Sequence, residues 1–570
     1  MGEPRPGDDT VADAEDGEGD DEVHRSADGD GSAGRGRALA EGLFLGSDAG
    51  NEAYAEAMTT ARDAVLEVVG DPDGPYSGAT YADLHERLDG ATLPETGAPL
   101  DDVLADVRDG VLADAVYPSD EACVAHLQCP PTVPSLAAEA MLAAVNQSLD
   151  SFDQAPAATV VEERLVADLT ELFDLGPDAD GVLTGGGTES NHQGLLLARD
   201  RYVAETFDRS VREAGLPPEA GDMRVLCSAD AHFTAAQSAA LLGLGEDAVV
   251  EVPTDDRRRM DPDALRAELD RLEEAGERPF ALVATAGTTD FGSVDPLAEL
   301  ADVADARDLW LHVDAAFGGA LAVSDDHRDV LAGIGRADSL AVDFHKLFFQ
   351  PIACGAFLLG DGADFRYMSR NAAYLNPEAD EVPNLVGKST RTTRRFDALK
   401  PYVAFRTLGR EGLAALVDRT VALADRVAGE IRADPAFELA CEPTINAVTF
   451  RYTPLRDRPD RDPGAWADRV NREARDRLFE AGRGVVARTE VDGRAHLKFT
   501  LMNPRTTVDD VRDLLVALKG HAAAVEAEGA EQTDGAGLTD REGTEATRSD
   551  RRRDGDAPPG ATADATGVDR

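Results

Sequence analysis

The chain has 570 residues, 42% of them apolar, and a formal net charge of −54. That length exceeds one ordinary core and argues for two or more domains. The charge excludes nucleic acid and anionic membrane as natural partners, by simple repulsion.

Residues 1–40 are rich in Asp, Glu, Gly, Ala and Ser. Such a stretch cannot offset its ordering entropy and is expected to be a disordered acidic tail. Residues 41–150 read as helical, interrupted by the Pro-rich turn CPPTVP. From 151 to 405, apolar runs of strand length follow one another: GVLTGG, MRVLCS, DAVVEV, FALVATAG, LWLHVDAA and SLAVDF. Helical patterns such as DPDALRAELDRLEEAG lie between most of them. That alternation predicts an α/β domain with a mostly parallel sheet. Over 406–522, long helical stretches precede two runs that read as strands, NAVTFRY and AHLKFTLM, and a final helix. This predicts a smaller α+β C-terminal domain. Residues 523–570 are expected to form a second disordered tail. The five cysteines are scattered, without a CxxC pair, so no disulfide framework or zinc ribbon is indicated. No apolar run approaches 18 residues and no leader pattern opens the chain, which reads as cytoplasmic.

Five stretches carry residues suited to chemistry. In LTGGGTESNHQG, Leu183 to Gly194, a strand ends in three glycines and leads into a helix. Glycines let the backbone approach an anion, a helix N-terminus offers free N–H groups, and Thr188 adds a hydroxyl. A phosphate cradle and a capped tight turn fit this stretch equally. It lacks the GK[ST] of a Walker loop, and Ser190 stands where the dinucleotide fingerprint would end in glycine. His232, in DAHFTAAQSA, is either a structural histidine or an aromatic plate for a ring. Thr288 and Thr289 stand at the end of a strand in TAGTTDFGSVD, which taken alone reads as a Gly-Thr turn. Asp314, in LWLHVDAAFGGA, ends an apolar strand, where a carboxylate is costly unless paired. It either joins His312 on the same side of the strand as a metal ligand or pairs with a cationic ring nitrogen over the small Ala316. No third metal ligand stands near, and no metal is expected.

The fifth stretch is DFHKLFFQPIACG, Asp343 to Gly355. The chain has only five lysines against 51 arginines, and Lys346 is the first of them. Arginine replaces lysine as a solvated cation but not as a nucleophilic amine. The same imbalance, with the acidic excess, resembles the proteomes of salt-loving archaea, where the Debye length falls to about 3 Å at molar salt. In order, a phosphate cradle, a ring-stacking histidine, a threonine pair, a strand aspartate and a His-Lys pair describe a pocket for pyridoxal 5′-phosphate.

The motifs LTGGGTESN, DAHFTAAQSA, AGTTDFGSVDP, WLHVDAAFGGA and ADSLAVDFHKLFFQPIACG resemble the group II pyridoxal-phosphate-dependent amino acid decarboxylases. AVNQSLDSFDQAPAATVVEERLV, NLVGKSTRTTRRFDALKPYVAFRTLGREG and LKFTLMNPRTT are most similar to the L-2,4-diaminobutyrate decarboxylase branch. The resemblance spans about residues 50–520 and implies the fold-type-I, aspartate aminotransferase-like architecture. It implies that Lys346 holds the cofactor covalently and moves protons, Asp314 pairs with the pyridine nitrogen and His232 stacks on the ring. It places Gly187, Thr188 and His345 at the phosphate, Thr289 beside Asp314 and Ala316 under the ring. It brings Thr132 near the substrate. It also implies a homodimer with shared active sites and a small amino acid substrate. The loop EVPNLVGKSTRTTRRF has no tyrosine, unlike the aromatic amino acid decarboxylases, and leaves Lys388, Ser389 or a residue outside the loop as proton-donor candidates. His192 stands where an apolar residue is expected and reads as a surface or packing residue. Glutamate, lysine, ornithine or an aromatic amino acid are alternative substrates; a catalytically silent scaffold is the non-enzyme alternative.

Overall fold

A computed structural model describes residues 39–70, 72–90, 92–370, 382–455 and 462–539, together with Gly36. The expectation for residues 1–40 therefore falls almost wholly outside the described residues, as does that for 540–570. The chain divides into two compact units, one of Met1–Pro72 with Tyr81–Asp114, the other of Asp73–Thr80 with Ala115–Arg570.

The first unit carries helices α1 (Asp48–Val69), α2 (Tyr81–Arg87) and α3 (Leu100–Val107). The Ser47 hydroxyl caps α1 by accepting the Gly50 N–H at 2.9 Å, which satisfies one of the orphan donors of the first turn.

The second unit begins with α4 (Val133–Val145) and α5 (Pro156–Leu172) and is built on a seven-stranded sheet. Its strands are β1 (Asp180–Thr184), β2 (Met223–Ser228), β3 (Val249–Val252), β4 (Arg278–Thr285), β5 (Trp310–Asp314), β6 (Ser339–Asp343) and β7 (Gly355–Leu359). The spatial order is β1-β7-β6-β5-β4-β2-β3. Only β7 runs antiparallel to its neighbours. Helices α6 (Gly187–Phe207), α7 (Thr234–Leu241), α8 (Pro262–Glu274) and α9 (Leu297–Arg307) make the crossovers. Covering both faces explains why the strands read as continuous apolar runs without alternation. On one side Leu195, Ala198 and Val203 of α6 pack on Val225, Val283 and Phe357. On the other, α5, α8 and α9 bury Leu165, Leu269 and Leu300 against Leu282, Val313 and Leu340.

The six strands read from sequence are all present. β7 is the addition, and its GAFLL run follows DFHKLFFQPIAC too closely to be separated from it by period alone. Helix α10 (Leu399–Ala433) contains one non-helical residue, Gly409, at φ 67°. Beyond it an antiparallel sheet, ordered β10-β11-β9-β8, uses β8 (Phe437–Leu439), β9 (Ala447–Tyr452), β10 (Ala487–Val491) and β11 (Arg494–Thr500). Helices α11 (Pro463–Glu480) and α12 (Val508–Thr539) pack on it through a second core around Phe450, Trp466, Leu497 and Leu514. The final helix runs past residue 522, where the sequence predicts the start of a tail. The reason is tertiary: Ala522 and Val525 join this core, and Glu526 accepts from the Tyr452 hydroxyl at 2.8 Å.

Candidate active site

Parallel strands deliver their last residues to one edge of the sheet, where α/β folds place ligands. Thr184, Thr285, Asp314 and Asp343 close β1, β4, β5 and β6. The last three line a cleft of about 530 Å³, a size suited to a small cofactor with its substrate. Gly187, Thr188, His232, Thr289, Asp314, Ala316, His345 and Lys346, eight residues singled out from sequence, all line it. Residues 158 positions apart in the chain, from Thr188 to Lys346, thus meet in one place.

The glycine run makes the turn from β1 into α6. Gly186 sits at φ 144°, and a Cβ there would approach His345 Cε1 to 2.9 Å. A Cβ on Gly187 would stand 3.0 Å from that of Ala316. Glu189 closes the turn by accepting the Gly185 N–H at 2.7 Å. The first-turn N–H groups of α6 have no intrahelical acceptor and open on the cleft beside the Thr188 hydroxyl.

Asp314 is held on both oxygens. Oδ1 accepts the Ala316 N–H at 3.1 Å and Oδ2 accepts Asn191 Nδ2 at 2.7 Å. Behind Asn191 lies His312, whose Nε2 is 2.9 Å from Asn191 Oδ1 and whose Nδ1 is 2.8 Å from Ser339 Oγ. Ser339 in turn accepts the Trp310 indole N–H at 2.8 Å. Asn191 donates to Asp314, so its oxygen faces His312, and His312 must donate from Nε2 and accept at Nδ1. Both ring nitrogens are thereby engaged in hydrogen bonds, which disposes of the metal-ligand alternative for His312. Gly194 permits this packing: a Cβ there would lie 2.5 Å from His312 Nδ1.

Burial drives the His312 pKa down to about 4, below its value of about 6.5 in an unfolded chain. The folded state therefore refuses a proton that the unfolded chain accepts between those values. Stability contributed by neutral His312 is present above pH 6.5 and is lost as pH falls towards 4. Thermal unfolding should show a fall of a few kcal/mol over that window, flattened in His312→Gln. The buried acids Asp295 and Asp338, both raised by burial to about 6, act in the opposite sense. They are present in both proteins, so the difference isolates His312. Equal pH profiles for the two proteins would contradict the assignment.

His232 precedes α7, with Nδ1 3.0 Å from Thr234 Oγ1, and Thr234 also accepts from Asn191 at 2.9 Å. Burial lowers its pKa, opposed by Asp314, so its ring is neutral at pH 7 and suited to lie against another ring. The His345 Nδ1–H donates to the Cys354 carbonyl at 2.8 Å, which aims Nε2 at the cleft. Lys346 Nζ lies 3.3 Å from Asp343 Oδ2.

The structure does not bring Thr132 and Lys388 to this cleft. Thr132 precedes α4, its N–H donating to the Phe349 carbonyl at 2.9 Å. Lys388 Nζ pairs with Asp180 at 2.6 Å. The described part of its loop packs on this chain's own α6, with Gln193 donating to the Lys388 carbonyl at 2.7 Å. His192, expected at the surface or in packing, instead lines the cleft, half-buried, with Nδ1 enclosed and unpartnered.

Three cleft residues are not singled out by the sequence. Asn191 is legible there only as part of a helix start, although it lies one turn from Gly187. Asp343 closes the apolar strand SLAVD as Asp314 closes WLHVD, and that signal is present. Glu189 carries no signal beyond a capping residue.

The residues fit pyridoxal 5′-phosphate. A primary amine would meet an aldehyde, glycine-lined N–H groups a phosphate and a doubly anchored carboxylate a ring nitrogen, and Ala316 would leave room for a flat ring. The enclosed Asp343 Oδ1, buried without a partner, marks a polar site built for a further group.

Comparison with known proteins agrees. The family profile described as "Pyridoxal-dependent decarboxylase conserved domain" matches residues 83–453. The L-2,4-diaminobutyrate decarboxylase of Rhizobium meliloti (strain 1021) is 43% identical over 488 residues, 85% of this chain and 94% of that protein. The protein of the same name from Acinetobacter baumannii is 41% identical over 70% of this chain and 80% of its own. The glutamate decarboxylase domain of diaminobutyrate-pyruvate transaminase and L-2,4-diaminobutyrate decarboxylase from Vibrio parahaemolyticus superposes with a TM-score of 0.78. It is 37% identical, over 86% of this chain and 99% of that one. A fold-type-I architecture, a cleft fitted to pyridoxal phosphate and this kinship lead to one conclusion: the chain belongs to the pyridoxal-dependent decarboxylases and is an amino acid decarboxylase.

Proposed function

We propose that the enzyme converts L-2,4-diaminobutyrate to 1,3-diaminopropane and carbon dioxide. The kinship at 43% identity over nearly the whole of the Rhizobium protein carries this reading. The cleft favours it as well. Among the described residues its lining includes no arginine. Such a lining suits a substrate with a second ammonium better than an acidic amino acid, whose side-chain carboxylate calls for a cationic partner.

Pyridoxal phosphate, when bound, supplies an electron sink for the bond to the departing carboxylate. The chain supplies orientation and charge. Thr188 and the first turn of α6 bind the phosphate, helped by His345. Asp314 would pair with the ring nitrogen and favour its protonated form, its carboxylate held in place by two hydrogen bonds. His232 would cover one face of the ring, Ala316 would leave room on the other, and Thr289 would border the substrate end. Lys346 would hold the cofactor and, once displaced by the substrate amine, would be an amine available in the cleft to move a proton.

A homodimer fits the surface. Val133, Leu136, Met141 and Val145 of α4 are exposed, Val133 at 78% and Met141 at 60%. Such a run on one helix is unusual for a free surface. Thr132 and Lys388, outside this chain's cleft, are the residues a shared site would draw from the partner. Sedimentation should give two chains per particle; a monomer would remove this reading.

The decisive test is carbon dioxide release from a panel of amino acids, run from low salt to molar KCl. Diaminobutyrate should be turned over well above glutamate, lysine, ornithine and tyrosine. Turnover of another member of the panel without diaminobutyrate sinks the substrate assignment. Activity should rise with salt, because screening relieves the repulsion of the −54 charge. Full activity without salt would remove the inference of a salt-loving source.

A further inference from the structure

Asp343 is a second buried carboxylate in the cleft, and the roles above leave it unused. It is 3% exposed. Its Oδ2 is 3.3 Å from Lys346 Nζ and 3.5 Å from His345 Nε2. Its Oδ1 is enclosed without a partner. The glycine run wraps it: added Cβ atoms on Gly186 and Gly187 would stand 3.5 and 3.3 Å from its oxygens, and one on Gly355 would stand at 2.8 Å. A carboxyl group is thus built into the wall where the chain would receive a phosphate.

Two anions in one low-dielectric pocket cannot both remain charged without cost. Lys346, meanwhile, must shed the third proton of its ammonium before it acts as a nucleophile. One proton answers both needs. We propose that Asp343 takes the proton that Lys346 gives up as the cofactor is captured, and keeps it as a carboxylic acid in the loaded enzyme.

The step balances. An N–H bond of the Lys346 ammonium breaks and an O–H bond forms on Asp343. The free Lys346 amine adds to the aldehyde carbon, and the carbonyl oxygen leaves as water with the two remaining amine protons. The new carboxylic acid can then donate a hydrogen bond where the carboxylate could only accept.

Other groups facing Asp343 do not take its place. Asp314, at the end of β5, already accepts on both oxygens, from Asn191 and Ala316. Glu189 is paired with Arg391 at 2.8 Å. His232, from ahead of α7, is neutral through burial. His345 donates from Nδ1 to the Cys354 carbonyl, so its Nε2 meets Asp343 well only if one of the two carries a further proton. Burial, the largest influence on Asp343, raises its pKa despite Lys346 and His345. The proposal needs the cofactor but not any choice of substrate.

The test is calorimetric. Apoenzyme is titrated with pyridoxal 5′-phosphate near neutral pH in buffers of different ionisation enthalpy, which gives protons exchanged per site. Asp343→Asn keeps the shape and removes the acid. Wild type should release about one proton fewer per cofactor bound than Asp343→Asn. Equal proton counts overturn the proposal, and they do so even if a proton moves to His345 instead. Infrared difference spectra of wild type, unloaded minus loaded, need no variant. They should show a carboxylate band lost and a carboxylic-acid band gained on loading. Absence of that exchange overturns the proposal as well. Failure of either protein to develop a visible band would count against cofactor binding itself, which is a separate result.

Discussion

Lys346→Ala should yield a folded, colourless protein whose decarboxylase activity falls by at least about three orders of magnitude, the scale of losing a covalent nucleophile. The wild-type enzyme should show a visible band that borohydride removes. The argument rests on position. Lys346 is a primary amine at the bottom of a polar cleft, paired with Asp343. Among the described residues no other lysine lines that cleft. A band or substantial turnover surviving in Lys346→Ala would show that another amine does the work. Lys346→Arg should fail equally, because it restores charge without nucleophilicity. That outcome separates a chemical role from an electrostatic one.

The second large effect concerns stability. Arg394 and Glu162 form an ion pair with both side chains only 1% exposed. Arg394 Nη1 donates to the Leu149 carbonyl at 2.9 Å, and Nη2 reaches the Leu183 carbonyl at 3.2 Å. Glu162 Oε1 accepts the Leu183 N–H at 2.9 Å. The pair therefore clamps β1 two residues before the glycine turn. Removing one partner leaves a buried charge uncompensated, which costs about 3–5 kcal/mol. Arg394→Met and Glu162→Met should each lower the unfolding free energy by that amount in denaturant titrations at constant salt. The double variant should recover part of the loss, because Arg394 Nε and Glu162 Oε2 are already unpartnered in the native pair and the pair is costly to bury. Single losses below about 1 kcal/mol would show that water reaches the site.

Much of this site is legible in the sequence. The six parallel-sheet strands stand out as apolar runs because both faces of the sheet are covered. The order of glycine run, His232, Thr289, Asp314 and Lys346 follows the strand ends. Lysine scarcity is informative too. In a chain that uses arginine for solvated charge, Lys400 sits fully buried with Nζ 2.9 Å from both Asp397 and the Ala353 carbonyl. Lys498 reaches the Thr289 carbonyl at 2.9 Å and Asp290 at 2.8 Å. A compact ammonium fits such pockets where a planar guanidinium does not. Lys519, paired with Asp434 at 2.6 Å and 40% exposed, has no comparable constraint.

Sequence by itself determined the alternation of strand and helix, the amine at Lys346 and the acid at Asp314. Those properties are local: they follow from hydrophobic period, residue chemistry and spacing along one strand or turn. Only the tertiary structure decided that Asn191 and His312 stand behind Asp314, that His192 faces the cleft and that Lys388 pairs with Asp180. It alone placed Asp343 between the glycine turn and Lys346. Apart from Asp343 beside Lys346, these contacts join residues far apart in the chain, and polar side chains take their partners from packing. A hydrogen bond has no period in the chain.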